Sequence, residues 1–533
     1  MDLYFYNTLT KRKDLFKPIN PEEIRIYSCG PTVYKDATIG NMRTNIFQDV
    51  LRRVLRYNGY KIKHAMNITD VGHLVSDGDE GEDKMLKSAR EEHKTPLQIA
   101  EHYTKLFFDD LKSLNIETPE IVCKATDHIK EMLEYVEKLV ENGYAYETST
   151  AIYFDVSKLD KYPILTNIDV ENQKAGARVN VDPEKRNPYD FALWIKAPEN
   201  HLMKWDSPWG PSYPGWHIEC SAMGQKYLGD QFDIHTGGID LIPTHHENEI
   251  AQSKGKCGKI PANYWLHGEY LLINGGKMSK SLGNVYLVKD IKEKGYDPLV
   301  YKLFSYSCHY RNKLNFTWEG IDSASKSLER LRNSYQTNLN GTDELSDEDR
   351  TKLSQIEENF HKAINDDLNM PLAMSFVWEA ARFEKKNPEV AKLLSKFDTV
   401  LGIKIDEINS KKEEIPQVKQ NNPPSDKEDN LNRDKADESE QKDENDKNLN
   451  NQDLDEGQII EDKNNEVTVQ DESSQESDED SDYNNQDLSE ETSKGYTCNI
   501  CKDPKCPRQK GDLRIYCIHY KENKDKNKDN KDK

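Results

Sequence analysis

The sequence predicts an α/β protein: a doubly wound, Rossmann-type domain carrying an insertion, followed by an α-helical bundle and a disordered acidic tail. Three observations carry this. Residues 24–28 (IRIYS) and 61–69 (KIKHAMNIT) are strand-length apolar runs, and between them Ile46, Val50, Leu51, Val54 and Leu55 recur at helical spacing. That strand–helix–strand order begins a parallel sheet. From Ile321 to Leu401 the pattern is helical throughout, as in a four-helix bundle. Residues 421–493 hold 26 acidic and 6 basic side chains with one aromatic, Tyr483, and cannot bury a core.

The elements follow in order. Residues 1–20 read as a short strand and turn. The first buried strand ends at Cys29-Gly30-Pro31, and residues 38–41 (TIGN) fall between it and the helix of residues 44–57. A helix start offers unpaired N–H groups that suit a triphosphate, and Gly40 lets a flat ring approach. The same residues also suit an ordinary turn. Residues 76–118 look helical and charged, with GDEGEDK as a loop. Ala125–Gly143 is an amphipathic helix stopped by glycine. Residues 144–213 alternate short strands with Pro and Gly turns. Phe232–Ile234 is a strand before His235-Thr236-Gly237-Gly238-Ile239-Asp240. Residues 264–273 (YWLHGEYLLI) read as one buried strand feeding Gly275–Ser281.

The stretch PGWHIECSAM…HHENEIAQ organises the rest. If HHENEIAQ is helical, His245 and Glu249 share a face. With Cys220, and Cys29 as a fourth, they offer a thiolate pair, an imidazole and a carboxylate, a donor set suited to zinc. On spacing alone such a His/Glu pair is more often a solvated face or a surface ion pair. Trp216 could wall a pocket here or simply belong to the core.

Four segments in this order, CGPTVY with its following IGN, GWHIECSAM, HHENEIAQ and GGKMSKSLGN, resemble class I cysteinyl-tRNA synthetases over roughly residues 1–405. The resemblance implies ATP-dependent activation of L-cysteine to cysteinyl-adenylate and transfer to tRNA(Cys). It implies one Zn2+ per catalytic domain, held by Cys29, Cys220, His245 and Glu249 and gripping the substrate thiolate, and Mg2+ carried with ATP. Lys277, Lys280, Thr38 and Asn41 take catalytic roles. Gly40, Asp240 and Lys280 take ATP, and Trp216, His235 and Thr69 take the substrate cysteine. Two other readings stand beside it: a paralogous cysteine ligase with a small-molecule amine acceptor, and a non-catalytic zinc- and nucleotide-binding paralogue.

The implied organisation is 1–119 and 213–285 as halves of the catalytic domain and 120–212 as the connective insertion. A stem-contact segment (286–320), the tRNA-binding bundle (321–405), an acidic linker (406–493) and a basic tail (494–533) follow. Two departures stand out. Thr38 replaces a histidine usual at the first position of its motif, and the small anticodon-reading element after the bundle is missing. In the tail, Cys498, Cys501, Cys506 and Cys517, with His519 nearby, could form a second, structural zinc site.

The formal charge of −22 is uneven. Residues 421–493 carry −20, 494–533 carry +6 and 1–420 only −8, so a tRNA surface must be a local basic patch. The 9 scattered cysteines fit reduced thiols and metal ligands better than a disulfide framework. The start, MDLYFYNTLTKRKD, lacks the apolar core of a secretory signal, and no run reaches membrane-spanning length. A cytoplasmic monomer that avoids membranes is expected.

Overall fold

A computed structural model describes residues 1–72, 84–166, 182–199, 201–279 and 282–407, all within one compact unit, Met1–Lys411. Residues 78–83 of the GDEGEDK loop, Lys280, the acidic linker from residue 408 on and the four tail cysteines with His519 lie outside the described residues.

The chain opens with a hairpin, β1 (Tyr4–Asn7) and β2 (Arg12–Leu15). Then come β3 (Ile24–Ser28), α1 (Ile39–Tyr57) and β4 (Ile62–Ile68), the strand–helix–strand unit expected from periodicity. Helices α2 (Lys84–Glu91) and α3 (Pro96–Ser113) lead to β5 (Ile121–Lys124) and α4 (Ile129–Glu141). The helix expected over Ala125–Gly143 begins as a tighter 3-10 turn, Ala125–His128. A four-stranded antiparallel sheet follows: β6 (Ala145–Glu147), β7 (Ala151–Phe154), β8 (Phe191–Lys196) and β9 (Ser212–Pro214). Next are α5 (Trp216–Leu228), β10 (Phe232–Gly238), α6 (Glu247–Cys257) and β11 (Ala262–Gly268). β12 (Leu271–Ile273), β13 (Gly276–Lys277), α7 (Val288–Glu293), α8 (Leu299–Ser305) and β14 (Leu314–Phe316) lead to the bundle. The bundle comprises α9 (Trp318–Leu339), α10 (Asp347–Asn365), α11 (Met370–Ala381) and α12 (Pro388–Leu401).

The central sheet is parallel, in the order β11-β10-β3-β4-β5. From β3 the chain winds outward to β4 and β5, and from β10 it winds the other way to β11. The order therefore reverses between β3 and β10, and ligands bind in the crevice at the carboxyl ends of such a pair. Cys29 follows β3 directly, and His235 lies on β10.

Two expectations are corrected. YWLHGEYLLI is not one strand: β11 ends at Gly268, and β12 joins a separate sheet with β13 and β14. Between them the Arg43 guanidinium takes the carbonyls of Glu269 and Tyr270, each at 2.5 Å, and the Tyr270 carbonyl also accepts from the Leu314 N–H of β14, which directs the chain into the separate sheet. The insertion does not begin at residue 120 either, because β5 belongs to the main sheet. Arg52 holds the carbonyls of Glu117 and Thr118 and the carboxylate of Glu120, which also accepts from the His64 N–H. These bonds steer the chain back beside β4.

A buried knot joins α1 to α8 and to the turn past α12. Lys302 on α8 donates to Asp49 of α1 at 2.7 Å and to the Asn115 carbonyl at 2.8 Å, with Arg53 on the same carboxylate at 2.7 Å. Gly402, just past α12, closes over it with φ +59°, and a Cβ there would stand 2.9 Å from Lys302 Nζ. The opening hairpin is tied at both ends. The Tyr6 N–H donates to buried Asp367 beyond α10, and the Thr8 N–H donates to the Trp265 carbonyl.

Candidate active site and metal centre

Four expected ligand atoms meet at the switch point. Cys29 Sγ, Cys220 Sγ, a His245 nitrogen and a Glu249 carboxylate oxygen all lie within 4.8 Å of one another. Cys29 Sγ is 3.8 Å from Cys220 Sγ and 3.7 Å from Glu249 Oε1. His245 Nε2 is 3.3 Å from Cys220 Sγ and 3.1 Å from Glu249 Oε1. Tetrahedral bonds of about 2.0–2.3 Å separate ligand atoms by about 3.3–3.8 Å, so these spacings and this mixed S/N/O set fit a zinc-sized ion.

Local structure explains the convergence. Gly215 caps α5 and packs so tightly on β8 that a Cβ would lie 2.3 Å from the Ala192 carbonyl, fixing the helix that carries Cys220. The two histidines sit in a wide π turn, Ile242–His246, that runs into α6. His245 and Glu249 still face each other across that junction. The turn also sends His246 inward, so its Nε2 is 3.3 Å from Cys29 Sγ while its Nδ1 meets His267 Nε2 at 2.7 Å. Gly237 makes room, since a Cβ there would meet His246 at 2.7 Å.

A second layer holds the first. His235 Nε2 is 2.8 Å from Glu249 Oε2, leaving Oε1 toward Cys29 and His245. His217 and His245 meet through Nδ1 atoms at 3.1 Å, and the Trp216 ring lies 4.4 Å from His245. His267 Nδ1 meets Thr8 Oγ1 at 2.8 Å. Cys29, His235, His246 and Glu249 form an overlapping group of donors.

The electrostatics are those of a charged cluster in a dry site. Burial raises Glu249, but the His235 and His245 charges outweigh it and hold the carboxyl down to about 2. Burial lowers His245, but Cys220 and Glu249 lift it to about 10. Cys220 is held below the usual thiol value: burial opposes this, but hydrogen bonds from Cys29 and His245 prevail. Burial, then Cys220 and Glu249, push Cys29 well up. Burial and neighbouring imidazoles keep His246 neutral, and burial takes His267 down to about 3.

At the start of α1, Thr38 and Asn41 form a reciprocal cap. Met278 reaches this turn, its Cε 3.7 Å from where a Gly40 Cβ would stand.

Residues 15–326 match the model of the tRNA synthetases class I (C) catalytic domain. The chain belongs to this family. It is 47% identical over 430 residues to the cysteine–tRNA ligase of Treponema denticola, covering 76% of this chain and 87% of that one. It is 44% identical over 399 residues to a cysteine–tRNA ligase of Thermus thermophilus, covering 74% and 81%. Among solved structures, a Mycobacterium tuberculosis methionyl-tRNA synthetase with methionyl-adenylate aligns at a TM-score of 0.49 and 15% identity, over 72% of this chain and 90% of that one.

Within this class I synthetase, the remaining expected residues fall as follows. Asp240 is exposed in a 3-10 turn after β10, and Lys277 is exposed on β13. Thr69 is buried, donates its hydroxyl to Glu219 at 2.7 Å and accepts from Asn67 at 3.0 Å. Sequence reasoning assigned no role to His217, His246, His267, Asn67 or Thr8. His217 and His246 lay inside the quoted motifs, so adjacency could have flagged them. Thr8 and His267 carried no such signal. Among the described residues no helix is long and apolar enough to cross a membrane.

Proposed function

We infer that the chain is a cysteine–tRNA ligase: it activates L-cysteine with ATP to cysteinyl-adenylate and transfers the aminoacyl group to tRNA(Cys). The single observation behind this reading is the convergence of two thiols, an imidazole and a carboxylate at the switch point, on a chain 47% identical to a cysteine–tRNA ligase. Cys29, Cys220, His245 and Glu249 would hold a zinc ion. Bound there, zinc supplies a borderline-soft Lewis acid that prefers sulfur and favours the deprotonated thiol.

This chain's residues do the rest. His235 orients the Glu249 carboxylate, and His217 orients the His245 ring, as outer partners that fix metal ligands. Trp216 walls the amino-acid side and limits its size. Lys277 and Lys280 offer positive charge for the α-phosphate and pyrophosphate as charge builds during adenylation. Magnesium accompanies ATP mainly through its phosphates. Recognition by sulfur ligation explains the choice of cysteine over serine, because steric sieving of so small a change gives only roughly 10–200-fold. The helical bundle α9–α12 favours a tRNA acceptor over a small-molecule amine.

Cysteine-dependent pyrophosphate exchange and charging of tRNA(Cys) test the reading. Cys220→Ser is expected to lose both the bound zinc, measured by metal analysis, and the exchange reaction. A variant that keeps cysteine-dependent exchange without metal rules out the assignment. Adenylation of cysteine with no charging of tRNA would point instead to a small-molecule acceptor.

A further inference from the structure

The two thiols of the ligand cluster come from segments 191 residues apart, yet their sulfur atoms lie 3.8 Å from each other. A buried chain of polar groups spans that gap. Asn67 on β4, Thr69 just past it and Glu219 on α5 are all buried. The Gly30 N–H, one residue after Cys29, donates to Asn67 Oδ1 at 2.8 Å. Asn67 Nδ2 donates to Thr69 Oγ1 at 3.0 Å, and the Thr69 hydroxyl donates to Glu219 Oε2 at 2.7 Å. Glu219 is the residue before Cys220. Asn67 Oδ1 also lies 3.6 Å from Cys220 Sγ, so one amide touches both thiol-bearing segments.

This chain of hydrogen bonds runs in one direction only. A backbone N–H can only donate, so the amide oxygen must face Gly30 and the amide nitrogen must face Thr69. Thr69 then accepts from Asn67, and its own single proton goes to Glu219. An asparagine meets both demands, whereas an aspartate at that position would accept from Gly30 and have nothing to give Thr69. The backbone admits little play. A Cβ at Gly30 would stand 1.6 Å from the Asn67 carbonyl oxygen, and the Thr69 N–H donates to the Pro31 carbonyl at 3.1 Å. The turn after Cys29 is therefore pinned to β4, and the side chains of Asn67, Thr69 and Glu219 carry that register across to α5.

We propose that Asn67, acting through Thr69 and Glu219, is a positioning residue that sets the separation of Cys29 and Cys220 and with it the affinity of the site for zinc. This rests on the reading of Cys29, Cys220, His245 and Glu249 as the zinc ligands. Groups that orient metal ligands from outside control how well the ligands fit the ion.

The test is the zinc affinity of the full chain, measured by chelator competition. The melting temperature of the metal-free protein and the thiolate-to-metal absorption of the cobalt-loaded protein are recorded for every variant. Thr69→Val cuts the chain of hydrogen bonds without adding charge. It is expected to bind zinc about 10- to 100-fold more weakly, the usual loss when an outer partner of metal ligands is removed, and to shift the cobalt absorption. Thr69→Ser keeps the hydroxyl and is expected to hold parental affinity. Asn67→Asp is also expected to weaken zinc, because two buried carboxylates then contest the one Thr69 proton. Adding Glu219→Gln to Asn67→Asp supplies an amide at the other end, so the bonds can run in reverse through Thr69. This double variant is expected to bind zinc more tightly than Asn67→Asp alone. Parental affinity in Thr69→Val, or a double variant no better than Asn67→Asp, overturns the proposal and leaves the ligase reading intact. So does a loss of affinity that follows a lower metal-free melting temperature with the cobalt absorption unchanged. A parent chain that binds no zinc removes the zinc assignment and the proposal together.

Discussion

Single residues in this chain show how burial and charge compete. Asp110 on α3 is half-buried, and burial holds its carboxyl up to about 6, with Lys292 opposing and Asp36 and Asp109 reinforcing. A raised carboxyl favours the protonated folded state. Its cost to the fold is absent below the unfolded value near 4, grows as pH rises, and is complete above about 6. Asp110→Asn is therefore expected to stabilise the protein by about 1 kcal/mol at pH 8, after discounting for solvent screening, and to give no gain near pH 4. Urea unfolding across that range measures it. A gain that grew toward acid would have the wrong sign. The ligand cluster shows the opposite outcome, since opposite charges only 3.1 Å apart keep Glu249 ionised although it is buried.

At the scale of elements, position depends on close approaches that need glycine. A Cβ at Gly215 would strike the Ala192 carbonyl at 2.3 Å, backbone against a helix start, so neither side can yield cheaply. Gly215→Ala is expected to lower stability by about 2 kcal/mol and to loosen α5, and with it Cys220. Chelator competition for bound zinc should show a weaker site even where the fold survives. Periodicity made β3, α1, β4 and the bundle legible, because each buries one regular face. It also placed His245 and Glu249 on facing positions. It could not see the break after β11, where Arg43 takes the Glu269 carbonyl from 226 residues away. Nor could it see the π turn at Ile242–His246, which has no pattern of its own and brings a second histidine inward. The cysteines of the ligand cluster were legible as motif members. Their outer partners Thr8 and His267 were not, because neither lies in a motif and only the fold joins them.

For the whole molecule, the knot around Asp49 ties α1 to α8 and, through Arg53 and the Thr399 carbonyl, to α12. Lys302 and Asp49 are both fully buried, and Lys302 also carries the Asn115 carbonyl. Lys302→Met leaves Asp49 short of one cation, with Arg53 as the remaining partner. The expected cost is about 3 kcal/mol, read from denaturant unfolding, because removing one partner strands a buried charge. Parental stability in that variant would mean that Arg53 alone neutralises the site.

The opening hairpin has a consequence for how the protein is made. Tyr6 is made 361 residues before the Asp367 whose carboxylate receives its N–H, and the Asn7 side chain waits for Trp265, 258 residues on. At roughly 5–20 residues per second, synthesis leaves the Tyr6 N–H without its partner for about 20–70 s. The Thr8 hydroxyl meets His267 only once the hairpin docks. A nascent chain halted short of Asp367 therefore lacks one anchor of its hairpin, and full docking of that hairpin, with the Thr8 contact to the histidine layer, is a late event of folding.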